Sequence, residues 1–142
     1  MGAKLARSAM LAAALLSAAS VHSQRSTPTG NKQRYAELAR TVDRNVGHAH
    51  MVRGVNICTI AALRRQVTAA DIPILQDMLA AKDTVHRLAA GYVLSILGAP
   101  GAEALRKSGR PLGPGEAEDF IARAAETEQA VALSLTNGSC RI

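Results

Sequence analysis

Ala89-Ala90-Gly91-Tyr92-Val93-Leu94-Ser95-Ile96-Leu97 is apolar on nearly every side. It belongs to a helix expected from about Thr84 to Leu97, and a helix that is apolar all round is one buried between neighbours. Ala90 and Gly91 are small enough to let another backbone come close. Gly98-Ala99-Pro100-Gly101 then breaks the chain, and a short helix from Ala102 to Lys107 follows. Ser108 to Gly115 is the clearest loop. Beyond it, Glu116, Glu118 and Asp119 put acids into the first turn of a last helix, where the helix dipole favours them. Ala117, Phe120, Ile121, Ala124 and Val131 form its inner face. Asn137-Gly138 ends it, and Cys140 lies in the tail 137–142.

Upstream the same period recurs. Tyr35, Leu38, Ala39, Val42 and Val46 lie on one helical face that ends near Gly47, with Asn31 as the cap. Met51, Val55, Cys58 and Ala62 repeat the spacing, although the β-branched run Val55 to Ile60 also suits a strand. Thr68 or Asp71 caps a helix over Ala69 to Ala81, with Pro73 near its first turn. No strand pair or hairpin signal stands out. The expected fold is all-α, a short stack of antiparallel helical hairpins in one domain, 32–136.

Composition agrees with that reading and narrows the function. Of 142 residues, 48% are hydrophobic and 20% charged, which fits a globular chain. Only Tyr35, Tyr92 and Phe120 are aromatic, which argues against modules that stack bases on rings. Lys4 and Arg7 precede an apolar run, Ala9 to Ala19, and small residues follow as far as Ser23. This is the three-part pattern of a secretory signal, with cleavage expected after Ser20 or Ser23. The run is too short to span a bilayer. The expectation is a signal peptide over 1–23, a flexible leader over 24–31, and a periplasmic or secreted protein with no membrane span. In an oxidising compartment the two cysteines, Cys58 and Cys140, are expected to form a disulfide.

Helices three and four carry a further pattern. Pro73, Leu75, Leu79, Asp83, Arg87, Ala90, Leu94 and Gly98 resemble the HEAT repeat, with Ala, Leu and Gly following the Arg at its usual offsets. The resemblance covers 69–105. His86 departs from it, standing where the family usually has Val. Arg53 lies one repeat length before Arg87, but Asn56 occupies the Ala position. What the resemblance implies is an α-solenoid fragment that binds another protein, with Asp83 and Arg87 tying neighbouring helices together.

The charge is uneven. Residues 24–65 carry eight basic and two acidic side chains, against seven and nine over 66–142. The basic half suits an acidic protein surface, with Arg53, Arg64 and Arg65 as anchors. Nucleic acid is not expected as a partner of an exported chain.

No reaction-bearing set can be assembled. The serines lack a nucleophile elbow, and Gly109 to Gly115 lacks the Lys-Ser/Thr of a phosphate loop. His48 and His50 with a cysteine are the nearest approach to a metal site, and no full ligand set accompanies them. The leading expectation is a non-catalytic interaction module without cofactor, acting in envelope assembly, beside an enzyme or as toxin immunity. A small exported enzyme or metal-binding protein using His48 and His50 is the alternative.

Overall fold

The computed structural model describes residues 28–46, 51–52 and 54–141. The segment read as a targeting signal, His48, His50 and Arg53 lie outside them.

Helix α1 (Pro28–Arg44) starts earlier than an Asn31 cap implies. A proline suits a first turn, because its missing N–H would have no partner there and its φ is already helical. Leu38 and Val42 are buried along its inner face, and Tyr35 is half-buried. The helix stops at Arg44, so Val46 leaves the face it was expected to extend and is 44% exposed.

A short hairpin follows, where no strand pair was expected. Strands β1 (Met51–Val52) and β2 (Val55–Asn56) pair antiparallel, Met51 opposite Asn56 and Val52 opposite Val55. Two residues per strand are too few to leave an alternating pattern in the sequence. Gly54 turns the chain at φ +92°, a region that side chains with a Cβ rarely enter. Helix α2 (Ile57–Gln66) starts directly from the hairpin, capped by the Asn56 side chain, which accepts a hydrogen bond from the Cys58 N–H at 2.8 Å. Ile57 to Leu63 are buried without interruption, so α2 is enclosed on all sides up to its last turn.

The expected third helix is a 3-10 turn (Ala69–Asp71) followed by α3 (Ile72–Leu79). Thr68 and Asp71 both serve it, forming a reciprocal capping box. Helix α4 (Thr84–Ser95) is capped by Asp83, whose carboxylate accepts from the Val85 and His86 N–H groups at 2.8 and 3.2 Å. Helix α5 (Ala99–Lys107) starts three residues before the expected Ala102, since Pro100 sits in its first turn. The last expected helix divides into α6 (Glu116–Ala122) and α7 (Ala124–Thr136). The break at Arg123 involves neither glycine nor proline, so nothing local in the sequence announces it.

The fold is all-α, seven helices among the described residues packed on one another. Helices α1, α3 and α5 are neighbours in that order along one layer, and α2, α4 and α6 along a second. Consecutive helices also pack across the layers, α1 on α2, α3 on α4 and α5 on α6. Helix α7 returns across the second layer and lies mainly on α2. Cys58 in the first turn of α2 and Cys140 beyond α7 are joined by a disulfide, their Cα atoms 5.2 Å apart.

The core runs through both layers. Leu38, Ile60, Leu63, Leu75, Leu79, Leu94 and Leu105 are all fully buried. Each such side chain contributes about 1.5–3 kcal/mol relative to exposure. Leu75, Leu79, Ala90 and Leu94, four positions of the quoted pattern, lie in this core, whereas Pro73 stays exposed at the start of α3. Among the described residues no helix is long and apolar enough to cross a membrane.

Candidate functional site

Several charged side chains that the sequence leaves unassigned are engaged within the fold. Arg34 on α1 grips Asp71 with two hydrogen bonds, Nε to Oδ1 at 2.9 Å and Nη2 to Oδ2 at 3.1 Å. The same guanidinium donates to the Gln66 carbonyl at 2.6 Å and to Glu37 at 3.3 Å. Asp71 Oδ2 also accepts from the Thr68 N–H at 2.9 Å. One buried carboxylate therefore joins the first helical hairpin to the start of the second. The hydrogen bond from Arg34 holds the Asp71 carboxyl below its ordinary range, burial opposes this, and the Thr68 N–H and the Arg34 charge reinforce it. The Arg34 guanidinium is held protonated in return.

A pH dependence follows from that direction. Because the folded carboxyl is the more acidic, its contribution is complete above the ordinary aspartate value of about 3.9 and is lost as pH falls through the folded value. Asp71→Asn should therefore melt below the parent protein near neutral pH, with the gap narrowing in acid below the ordinary aspartate range. Thermal melts near neutral pH and in acid measure it. An equal gap at both would mean that the carboxylate charge is not what stabilises this junction.

Two more ties cross between elements. His86, the departure from the repeat pattern, has its Nε2 2.6 Å from Asp43 Oδ1, joining the start of α4 to α1. Arg87 donates to Glu116 at 2.5 Å, joining α4 to α6, and Glu116 also accepts from the Gly113 N–H at 2.7 Å. Arg87 thus ties α4 to α6. Asp83 instead caps its own helix.

Arg64 and Arg65 stand in the last turn of α2, where the helix dipole favours cations. Arg64 is half-buried and Arg65 exposed. Thr41 donates to the Gln66 side chain at 2.8 Å and Arg34 holds its carbonyl, so this end of α2 lies against α1. Lys32, Arg40 and Arg44 are exposed on α1. The basic half therefore presents cations from two adjacent helices, with Arg34 committed to the fold. Arg53, the third expected anchor, lies outside the described residues.

The remaining candidates are limited. Cys58 and Cys140 are bonded to each other, so neither supplies a thiolate. Among the described residues no three His, Cys, Asp or Glu side chains converge as a metal ion requires. A cleft of about 190 Å³ between α4 and α6 is lined by Leu88, Tyr92, Glu116, Asp119, Phe120 and Arg123. It offers two carboxylates, a guanidinium and the Tyr92 phenol beside the Phe120 ring, with no imidazole, thiol, serine or threonine among its lining residues. Tyr92 and Phe120 meet edge to face, centroids 5.0 Å apart, and the Phe120 ring rests where Gly91 has no Cβ.

Compared with known proteins, the chain matches no family model, no curated protein and no solved structure.

Proposed function

We propose that the chain is an exported, non-catalytic protein–protein interaction module, a short HEAT-like stack whose basic α1–α2 surface receives an acidic protein partner. The observation that carries this reading is the layered order of the helices, α1–α3–α5 over α2–α4–α6, with Leu75, Leu79, Ala90 and Leu94 of the repeat pattern inside it. Stacked hairpins bury a continuous core and leave extended faces for partners. The three-part pattern over 1–23 and the Cys58–Cys140 bond support export, since disulfides persist in oxidising compartments. Arg64 and Arg65 are the anchors, because a guanidinium pairs with a carboxylate through two hydrogen bonds at once.

Cross-linking in the native envelope followed by binding kinetics tests the reading. The Arg64→Glu/Arg65→Glu variant should keep its helical circular dichroism and associate with the captured acidic partner roughly tenfold more slowly at low salt. Undiminished binding of the variant would remove this surface from consideration. Turnover of a substrate by the purified protein would end the non-catalytic reading.

A further inference from the structure

We propose that α7 is a strap whose seat on α2 is held by the Cys58–Cys140 disulfide, and that a dithiol reductant releases it as a unit from a core of α1–α6 that stays folded. This goes beyond the interaction reading and does not depend on which partner is bound.

The seat of α7 is thin. Its buried stripe is Thr127, Val131 and Ser134, spaced so that they share one helical face. Val131 is the hydrophobic one of the three, and Ala124 and Ala130 add only half-buried methyl groups against the core. The Ser134 hydroxyl donates to its own helix, to the Val131 carbonyl at 2.8 Å, so its one donor is not given to α2. The leucines of this helix point away from the core, Leu133 being 58% and Leu135 39% exposed. Helix α4, by contrast, buries Ala89 to Ser95 without interruption. Apolar burial scales with area removed from water, so α7 is held far less firmly by its own side chains than α4 is.

Both ends of α7 are made to match. At the near end the chain leaves helical geometry at Arg123, with φ −100° and ψ 4°, so that α7 pivots separately from α6. At the far end Gly138 turns the chain at φ +72°, and Cys140 bonds to a residue 82 positions earlier. Between pivot and clamp, the covalent bond supplies the attachment that the seat lacks. On α2 the residues sharing a face with Cys58 are Ala61 and Ala62, both buried and both small.

The chemistry balances as a thiol–disulfide exchange. Cys140 is the more exposed of the pair, at 7% against 2% for Cys58. A thiolate of the dithiol attacks the Cys140 sulfur, the Cys58–Cys140 bond breaks, and Cys58 leaves as a thiolate that takes up a proton. The second thiolate of the reductant then attacks its own sulfur in the mixed disulfide. Cys140 leaves as a thiolate and is protonated, while the reductant closes as a cyclic disulfide. The protein gains two electrons and two protons; the reductant loses both.

Hydrogen exchange read by mass spectrometry on the full chain, oxidised and after excess dithiothreitol, tests the strap. Amides across 124–141 should exchange at least about fivefold faster after reduction, while those of α3 and α4 stay within about twofold. Cys140→Ser, without reductant, should give the same pattern. A smaller change in α7 overturns the proposal, as does loss of protection in α3 and α4 together with it. Failure of dithiothreitol to open the bond in the folded protein also overturns it. If Cys140→Ser does not fold, the core does not stand without the clamp, and the proposal falls.

Discussion

Leu94→Ala is expected to cost the domain about 2–5 kcal/mol, a large part of the roughly 5–15 kcal/mol available to a protein of this kind. Leu94 is fully buried in the last turn of α4, the helix that touches both layers and α7. Removing its three outer carbons forfeits their transfer energy and leaves a cavity that surrounding helices cannot close without moving. A loss of about 3 kcal/mol should lower the melting temperature by roughly 10 °C or more. Leu133→Ala is the matched control. The same chemical change at a side chain 58% exposed should stay within about 0.5 kcal/mol. Equal melting of the two variants would mean that α4 is not the centre of the fold.

The legibility of α4 explains why the fold class could be read from sequence. A segment apolar on every side has one stable environment, between other helices, and α2 obeys the same rule over Ile57 to Leu63. The disulfide was legible for a similar reason: two cysteines leave one intramolecular pairing. What escaped the sequence depends on partners far along the chain. Arg34 meets Asp71 across 37 positions, and His86 meets Asp43 across 43. Either member of each pair reads alone as a solvated charge. His86 did stand out as a departure from the repeat pattern, and its bond to Asp43 gives that departure a structural role.

The α6–α7 break had no such signal. Phe120 and Ile121 lie in α6 while Val131 lies in α7, so one period appeared to run through two helices. The break at Arg123 goes with tertiary packing: α6 lies against α4 and α5 and α7 mainly against α2, and the chain leaves helical geometry between them. Tertiary override of a continuous local pattern is a recurrent source of such errors. For the interaction surface, composition showed that the first half is basic. Only the fold places Arg34 on Asp71, and Arg64 and Arg65 in the last turn of α2.

Gly101→Ala is expected to destabilise the protein by about 2–3 kcal/mol, although alanine is the better helix former by roughly 1 kcal/mol. The sequence marks Gly101 only as part of a chain break, yet it lies buried inside α5. A Cβ there would overlap the Leu94 carbonyl oxygen and approach the Leu97 Cβ at 2.9 Å. That carbonyl accepts from the Leu97 N–H at 3.2 Å at the end of α4, so it cannot swing aside without opening the last turn. Gly91 provides the contrast. A Cβ at Gly91 would meet ring atoms of Phe120 at 2.6 and 2.7 Å, and a ring can tilt where a backbone carbonyl is fixed. Gly91→Ala should therefore cost less than Gly101→Ala, even though both glycines are buried in helices. Urea unfolding of the two variants decides the order. If Gly101→Ala were neutral or stabilising, α5 would have to slide along α4 freely, and the close α4–α5 contact would not be a fixed part of the stack.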